Sequence, residues 1–343
     1  MMRSTQSKGE KKMEKNQAIA LAIVVIVGVS IVGVALWFPP SQPDVRIGYL
    51  SADLHQLAVW VAYQRGFFDD ENITVELNIY QNGGYAMDGF QAGQIDMAYL
   101  GAAPALVKRL NQGIGVTILA AANLEGSAIN VLKSEYDAGR ITSIADLVGK
   151  TVYHPGPPTV QNFLLRLALE QSGLTIANIT PETARVQDMD ALLTPDSPAF
   201  IAWEPFPSLS EYENRTVPLI LSGEIWPGHP CCVVASSNSF LDTNPDVVQK
   251  VINAHQRAEI WINENPAEAL QLAAQWLLRE DNPEPVETAF NRIIYTPDLN
   301  RTGLELYLEF LIDQDLITDP PTDIDAFFDG FIDTTFINNA PYD

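Results

Sequence analysis

The stretch Val45–Tyr80, "VRIGYLSADLHQLAVWVAYQRGFFDDENITVELNIY", holds two short apolar runs, 45–50 and 74–80, separated by a segment whose apolar residues recur every three or four positions. That order reads as strand, helix, strand. Two strands joined by a helical crossover lie parallel, because only a connection of that length brings the chain back to the same end of a sheet. Further runs at 96–101, 116–123, 128–133, 150–155, 200–205, 217–221 and 231–236 alternate with helical patterns. They fall into two sets, which predicts two α/β lobes built on largely parallel sheets. After them, Asn244-Pro245 and Asn265-Pro266 each place a cap before a proline at the first helical position, and helices dominate to the end.

Size and charge agree with two lobes and exclude one class of partner. A chain of 343 residues, 47% hydrophobic and 18% charged, is ordinary globular material and more than one core usually holds. Its 43 acidic against 20 basic residues give a net charge of -23, which argues against nucleic acid.

The N-terminal region is of a different kind. Residues 18–38, "AIALAIVVIVGVSIVGVALWF", carry no charge over 21 positions, enough for a helix to cross a hydrocarbon core of about 30 Å. Arg3, Lys8, Lys11, Lys12 and Lys15 precede it against Glu10 and Glu14, so the positive-inside rule keeps residues 1–17 in the cytoplasm. The expectation is a single-pass anchor at the cell membrane, a linker over 39–44, and a binding domain outside the cytoplasmic membrane. A cleaved signal peptide is the competing reading. It is disfavoured by the length of the apolar run and the lack of a small-x-small site before Pro39-Pro40.

One helix start stands out. In "HPGPPTVQNFLLRLALEQSGL", residues Val160, Phe163, Leu164, Leu167 and Ala168 make one apolar face, Thr159 is a candidate N-cap and Gly173 a stop. The free N–H groups of that helix point into the loop Gly156–Thr159, which suits an anion or a ligand oxygen as well as a plain capped helix. The two cysteines, Cys231 and Cys232, are adjacent, and trans neighbours sit about 3.8 Å apart, closer than a relaxed disulfide wants. Small buried apolar residues, a strained vicinal disulfide, and a soft-metal or thiol-reactive site with His229 remain as readings of that pair.

The blocks "RIGYLSADLHQLAVWVAYQRGFFDDENITVEL", "GFQAGQIDMAYLGAAPAL", "IAWEP" and "SSNSFLDTNPDVVQKVINAHQRAEIWINENPAEAL" together resemble the nitrate/sulfonate/taurine/thiamine-precursor family of ABC-transporter solute-binding proteins, in order over about 45–330. The resemblance implies a type II periplasmic-binding fold, two α/β lobes closing on a ligand about a hinge. Carried onto this chain, lobe 1 is 45–130 plus 236–343 and lobe 2 is 131–235. It also implies a non-enzymatic binding component without a cofactor, whose partners are a small solute, a permease and a separate ATPase, since this chain has no GxxxxGK[ST] segment.

Ligands in such sheets sit beyond the carboxyl ends of strands. The candidate ligand-binding residues are therefore Ser51, His55, Tyr85, Gly101, Ala102, Glu125 and Ser127 from the first lobe and its crossing. His154, Pro158, Thr159, Trp203, Glu204 and His229 come from the second, with His229 expected at the cleft mouth beside the cysteines. Asp53 is a candidate helix cap. None of these loops carries Lys or Arg, so a sulfonate or carboxylate held by N–H groups and hydroxyls, with Glu125 or Glu204 meeting an amine, as in a taurine-like zwitterion, or else a pyrimidine thiamine precursor, fits better than a bare inorganic anion. His55, His154 and His229 lie more than 70 residues apart and form no metal motif, so no metal ligand is assigned. The rival reading is an enzyme resembling thiamine-pyrimidine synthases, using His55 and Cys231-Cys232; a tethered sensor differs only in partner.

Overall fold

The computed structural model describes residues 42–341. The expected basic tail, 1–17, and expected anchor, 18–38, lie outside them, and among the described residues no helix is long and apolar enough to cross a membrane. The strands are β1 (Val45–Leu50), β2 (Val75–Tyr80), β3 (Met97–Gly101), β4 (Val116–Glu125), β5 (Ser127–Leu132), β6 (Thr151–His154), β7 (Thr180–Thr183), β8 (Ala199–Trp203), β9 (Thr216–Leu221), β10 (Pro230–Ser237) and β11 (Ile293–Ile294). Each of the nine runs read from the sequence is a strand within two residues of its expected ends. β7 escaped because all four of its residues are exposed and carry no apolar alternation, and β11 is only two residues long.

The strands form two sheets, ordered β11-β4-β10-β3-β1-β2 and β7-β6-β8-β5-β9. Both follow one scheme. In each, three strands run parallel, and a fourth lies antiparallel beside them: β10 in the first sheet, β5 in the second. The expected largely parallel sheets are thus mixed, with five of nine strand pairings antiparallel. The reason is geometric. Strands such as β3 and β4 end at the cleft between the lobes, whereas β5 and β10 begin there, having just received the chain from the other lobe, and so run away from it. The changes of sheet fall at Gly126 and between β9 and β10, a few residues before the 130/131 and 235/236 boundaries expected. Residues 127–130 consequently belong to the second sheet and 230–235, with both cysteines, to the first.

The central strands are buried on both faces; β4 is covered from Val116 to Asn123 and β10 from Pro230 to Ser236. The helix Pro245–Glu264 lays Val248, Val251, Ile252, Ala258 and Ile262 on the first lobe at helical spacing. The C-terminal segment also reaches the second lobe. The helix Arg301–Asp313 packs on Val160–Gln171, where the Phe163 ring meets Tyr307 edge-on at 4.1 Å and Phe310 at 4.4 Å between centroids. Aromatic contacts of this kind add roughly 0.5–1.5 kcal/mol each beyond area burial.

Gly126 is where side chains are excluded. Its φ is +86°, and a Cβ there would stand 2.3 Å from His55 Nε2 and 2.7 Å from Ile293 Cγ1. Combining a left-handed backbone for an L-residue with overpacking, Gly126→Ala is expected to cost about 2–5 kcal/mol. Urea unfolding of the two proteins measures it; a loss under about 1 kcal/mol would mean that the crossing shifts to make room.

Candidate functional site

Three helices of eight or more residues start at the cleft between the sheets. Gly83–Gln91 begins after Asn82, whose side chain accepts from Tyr85 N at 3.1 Å. Ala102–Gln112 begins after Gly101 with no side-chain cap, and Val160–Gln171 after Thr159, whose Oγ1 accepts from Asn162 N at 3.3 Å and donates to the Gly156 carbonyl at 2.7 Å. First-turn N–H groups have no partner within their own helix and carry the positive end of its dipole. Asn82, Gly83, Gly101, Pro104, Thr159, Val160 and Gln161 line a narrow cleft that opens to solvent. Leu50, Asp53, His55, Trp203, Cys231 and Cys232 complete the wall. Among the described residues no Lys or Arg lines it. Trp203 Nε1, buried, has no hydrogen-bond partner among the described residues, so a side chain of the wall carries an unpaired indole donor.

One part of that wall is a titratable cluster. His55 Nε2 lies 2.6 Å from the Gly126 carbonyl oxygen, which can only accept, so this nitrogen carries a proton. Nδ1 therefore faces the two sulfurs, at 3.4 Å from Cys231 Sγ and 3.9 Å from Cys232 Sγ, with Asp53 Oδ1 3.5 Å away. Asp53 caps its own turn, accepting from His55 N at 3.0 Å and from Gln56 Nε2 at 3.2 Å. Burial pulls the His55 pKa down, but the negative charge of Cys231 and Asp53 outweighs it and lifts the value to about 9. For Cys231, burial raises the pKa, while the hydrogen bond from Cys232 and the charge of His55 bring it well below the usual thiol range. Burial pushes Asp53 up to about 6. A thiolate beside an imidazolium is both a nucleophile and a soft-metal ligand.

The structure sorts the expected residues. His55, Gly101, Thr159, Trp203, Cys231 and Cys232 line the cleft, and the exposed Tyr85 lies at its mouth with Asn82, Trp203 and Arg185. Ser51, Ala102 and Pro158 are adjacent in sequence to that wall without lining it. Ser127 is buried behind it, its Oγ accepting from Gln161 Nε2 at 3.0 Å. The two glutamates have other work. Glu204 is fully buried and pairs with Arg292 at 2.9 Å, and Glu125 accepts from Gly228 N at 2.7 Å, so the expectation that either meets a ligand amine is corrected. His229 is 1% exposed with Nδ1 3.0 Å from its neighbour's carbonyl, not at the cleft mouth. His154 Nδ1 accepts from Gly156 N at 3.1 Å, and burial lowers its pKa. The three histidines are not brought together; buried backbone and loop packing claimed two of them.

Sequence reasoning missed Asn82, Gln161, Arg185 and Arg292. Asn82 precedes the Gly83-Gly84 pair as a cap residue should, and Gln161 falls in the first turn of a helix already recognised, so both were within reach. Arg185 follows the strand that carried no pattern, and Arg292 comes from a distant C-terminal turn.

This two-sheet architecture is the α/β fold of periplasmic binding proteins. It superposes on a ligand-binding component of an ABC-type import system from Staphylococcus aureus solved with zinc bound, with a TM-score of 0.76, 17% identity, and coverage of 88% of this chain and 100% of the other. It also matches an alkanesulfonate-binding protein from Xanthomonas axonopodis pv. citri bound to MOPS, with a TM-score of 0.68, 18% identity, and 81% and 96% coverage. A protein of Brucella abortus whose name states only that it binds is 24% identical over 256 residues, 71% of this chain and 76% of that one. Residues 39–278 match the NMT1-like family, to which the chain belongs.

Arg292 is the cation that bridges the buried Glu204 and, at 2.7 Å, the half-buried Glu211. Arg292→Met strands Glu204 in the interior and is expected to cost about 3–5 kcal/mol. Adding Glu204→Gln removes the stranded charge and should recover part of that loss, read from chemical denaturation of the single and double variants. Equal stability of single and double variants would show that Glu204 is protonated once its partner is gone.

Proposed function

We propose that this chain is the solute-binding component of an ABC importer, anchored outside the cytoplasmic membrane through residues 18–38, which captures a small taurine-like sulfonate between its lobes. The observation that carries this reading is the meeting of three helix starts at a cleft whose lining, among the described residues, has no Lys or Arg and includes Trp203, whose buried N–H has no partner among them. Such donors suit an oxyanion that shares its charge among several oxygens. Leu50, Pro104 and Val160 give the short carbon chain an apolar wall, and the Asp53 carboxyl takes the amine-facing role first expected of Glu204. The import partner and the sulfonate are those named for the structural neighbours, and the chemistry of the cleft supports carrying them over.

Binding stabilises the arrangement in which both lobes touch the solute, and that arrangement docks on a permease served by a separate ATPase. The pivot is the side where Phe163 packs on Tyr307 and Arg292 crosses to Glu204. A second reading is favoured by the Cys231–His55 contact of 3.4 Å: an enzyme with a thiolate nucleophile in the same cleft. Disappearance of the solute during incubation, in place of reversible binding, would select it.

Calorimetric and thermal-shift titrations of the full chain with taurine, ethanesulfonate, nitrate and sulfate test the proposal. A sulfonate at a hundredfold excess over its Kd should add about 2.7 kcal/mol of stability. Trp203→Phe keeps an aromatic ring but loses the N–H, and should weaken that sulfonate at least about tenfold while leaving the ligand-free melting temperature nearly unchanged. No saturable response to any of the four solutes would sink the assignment, and tighter binding of ethanesulfonate than of taurine would remove Asp53 from it.

A further inference from the structure

The adjacent cysteines answer to a rule that strands normally obey. Successive side chains of a β-strand point to opposite faces, so two neighbouring cysteines in a regular ladder cannot serve one site. In β10 the pairing with β4 slips between Pro230 and Cys232 and again between Cys232 and Val233. This is a bulge, the device that re-aims a side chain. Cys232 N is held there by Asn123 Oδ1 at 3.0 Å. Both sulfurs are thereby turned toward the same nitrogen, His55 Nδ1, and the three ligand atoms lie within 4.8 Å of one another.

We propose that His55 Nδ1, Cys231 Sγ and Cys232 Sγ form a three-ligand site for a thiophilic d10 metal ion, with Zn2+ as its probe and the fourth coordination position facing the cleft. The spacing fits. A tetrahedral zinc with Zn–N of about 2.0–2.1 Å and Zn–S of about 2.3 Å sets nitrogen and sulfur roughly 3.5–3.6 Å apart, and the observed 3.4 and 3.9 Å straddle that value. The outer partner fits too. Metal-bound imidazoles hand their other N–H to a carbonyl or carboxylate, which here is the Gly126 carbonyl at 2.6 Å. Two sulfurs and an imidazole favour a soft or borderline ion over magnesium or calcium. As the metal binds, two protons leave to solvent, one from the Cys232 thiol and one from Nδ1 of the His55 imidazolium, which frees that nitrogen to ligate, and the dication is neutralised by two thiolates. The site stands apart from the sulfonate proposal, since it needs no solute.

The test uses the full chain, reduced and stripped of metal. Equilibrium dialysis with zinc should give one bound equivalent, and cobalt(II) in its place should show thiolate-to-cobalt charge transfer with the d–d bands of a tetrahedral site. Cys231→Ser and Cys232→Ser should each weaken zinc, measured by chelator competition, by at least about 100-fold, beyond the roughly 10–100-fold that losing an outer partner costs. Zinc should also shield both thiols of the unmutated chain from a thiol reagent. The proposal is overturned if the chain with two titratable thiols binds no zinc, if bound cobalt lacks the charge-transfer band, or if neither serine variant changes the affinity. The cobalt spectrum and thiol protection need no variant, so a misfolded substitution leaves the outcome decidable. Sulfonate titrations of the metal-free chain report separately on the transport reading.

Discussion

The carbonyl oxygen of Gly126 is the point through which the lobes and the cleft are tied together. It accepts from His55 Nε2 at 2.6 Å and from Glu204 N at 2.9 Å, one group from each lobe, at the residue where the chain leaves the first sheet for the second. A carbonyl has two lone pairs, and both are used. The double demand fixes the turn, and the turn fixes φ at +86°, which only glycine holds without strain. The same bond decides the His55 tautomer, and with it the direction in which Nδ1 can act. Chain crossing and site chemistry therefore rest on one backbone atom.

Charge burial follows a similar economy of partners. Glu204 is removed from water at the cleft edge of β8, and Arg292, from the turn before β11, satisfies it together with Glu211. Burial raises the Glu204 pKa and the guanidinium opposes that rise. A carboxyl group so occupied orders the interface between lobes, and its negative charge is not free to attract or repel a solute. The titratable groups among the cleft's described lining residues are Asp53, His55, Cys231 and Cys232, and the helix starts add the positive ends of their dipoles.

Much of the fold was legible because β-strands buried on both faces leave continuous apolar runs, as in β3, β4 and β10, and because Thr159 and Gly173 bracket a helix of clear period. Strand direction was not legible. The parallel expectation came from helical spacers between strands, yet β5 and β10 are linked to their sheets through the other lobe, so no local pattern records their sense. At the site, the signal was strongest where local geometry makes function: the helix starts at Gly101 and Thr159. It failed where partners come from afar. Nothing around Glu204 announces that Arg292, 88 residues on, will claim it. The cysteine pair was conspicuous as a dipeptide, but the slip in register that makes it useful appears only when β10 is laid against β4.

On the proposed reading, a cleft that holds an anion through helix starts has a property that a cleft of arginines lacks. Each helix terminus contributes roughly 0.3–1 kcal/mol to a nearby negative charge at an exposed site, up to about 2 when partly buried. A fully desolvated ion pair stakes about 3–5 kcal/mol on a single contact. Three helix starts and an indole N–H divide the hold on an oxyanion into modest parts, each of which weakens as the lobes part. If the proposed task is to hold a solute and then release it, that division helps, because no single contact has to be broken at full cost. On the proposed reading, fixed N–H groups would supply selectivity by position, since no Lys or Arg among the described residues lines the wall to hold a bare anion by charge alone.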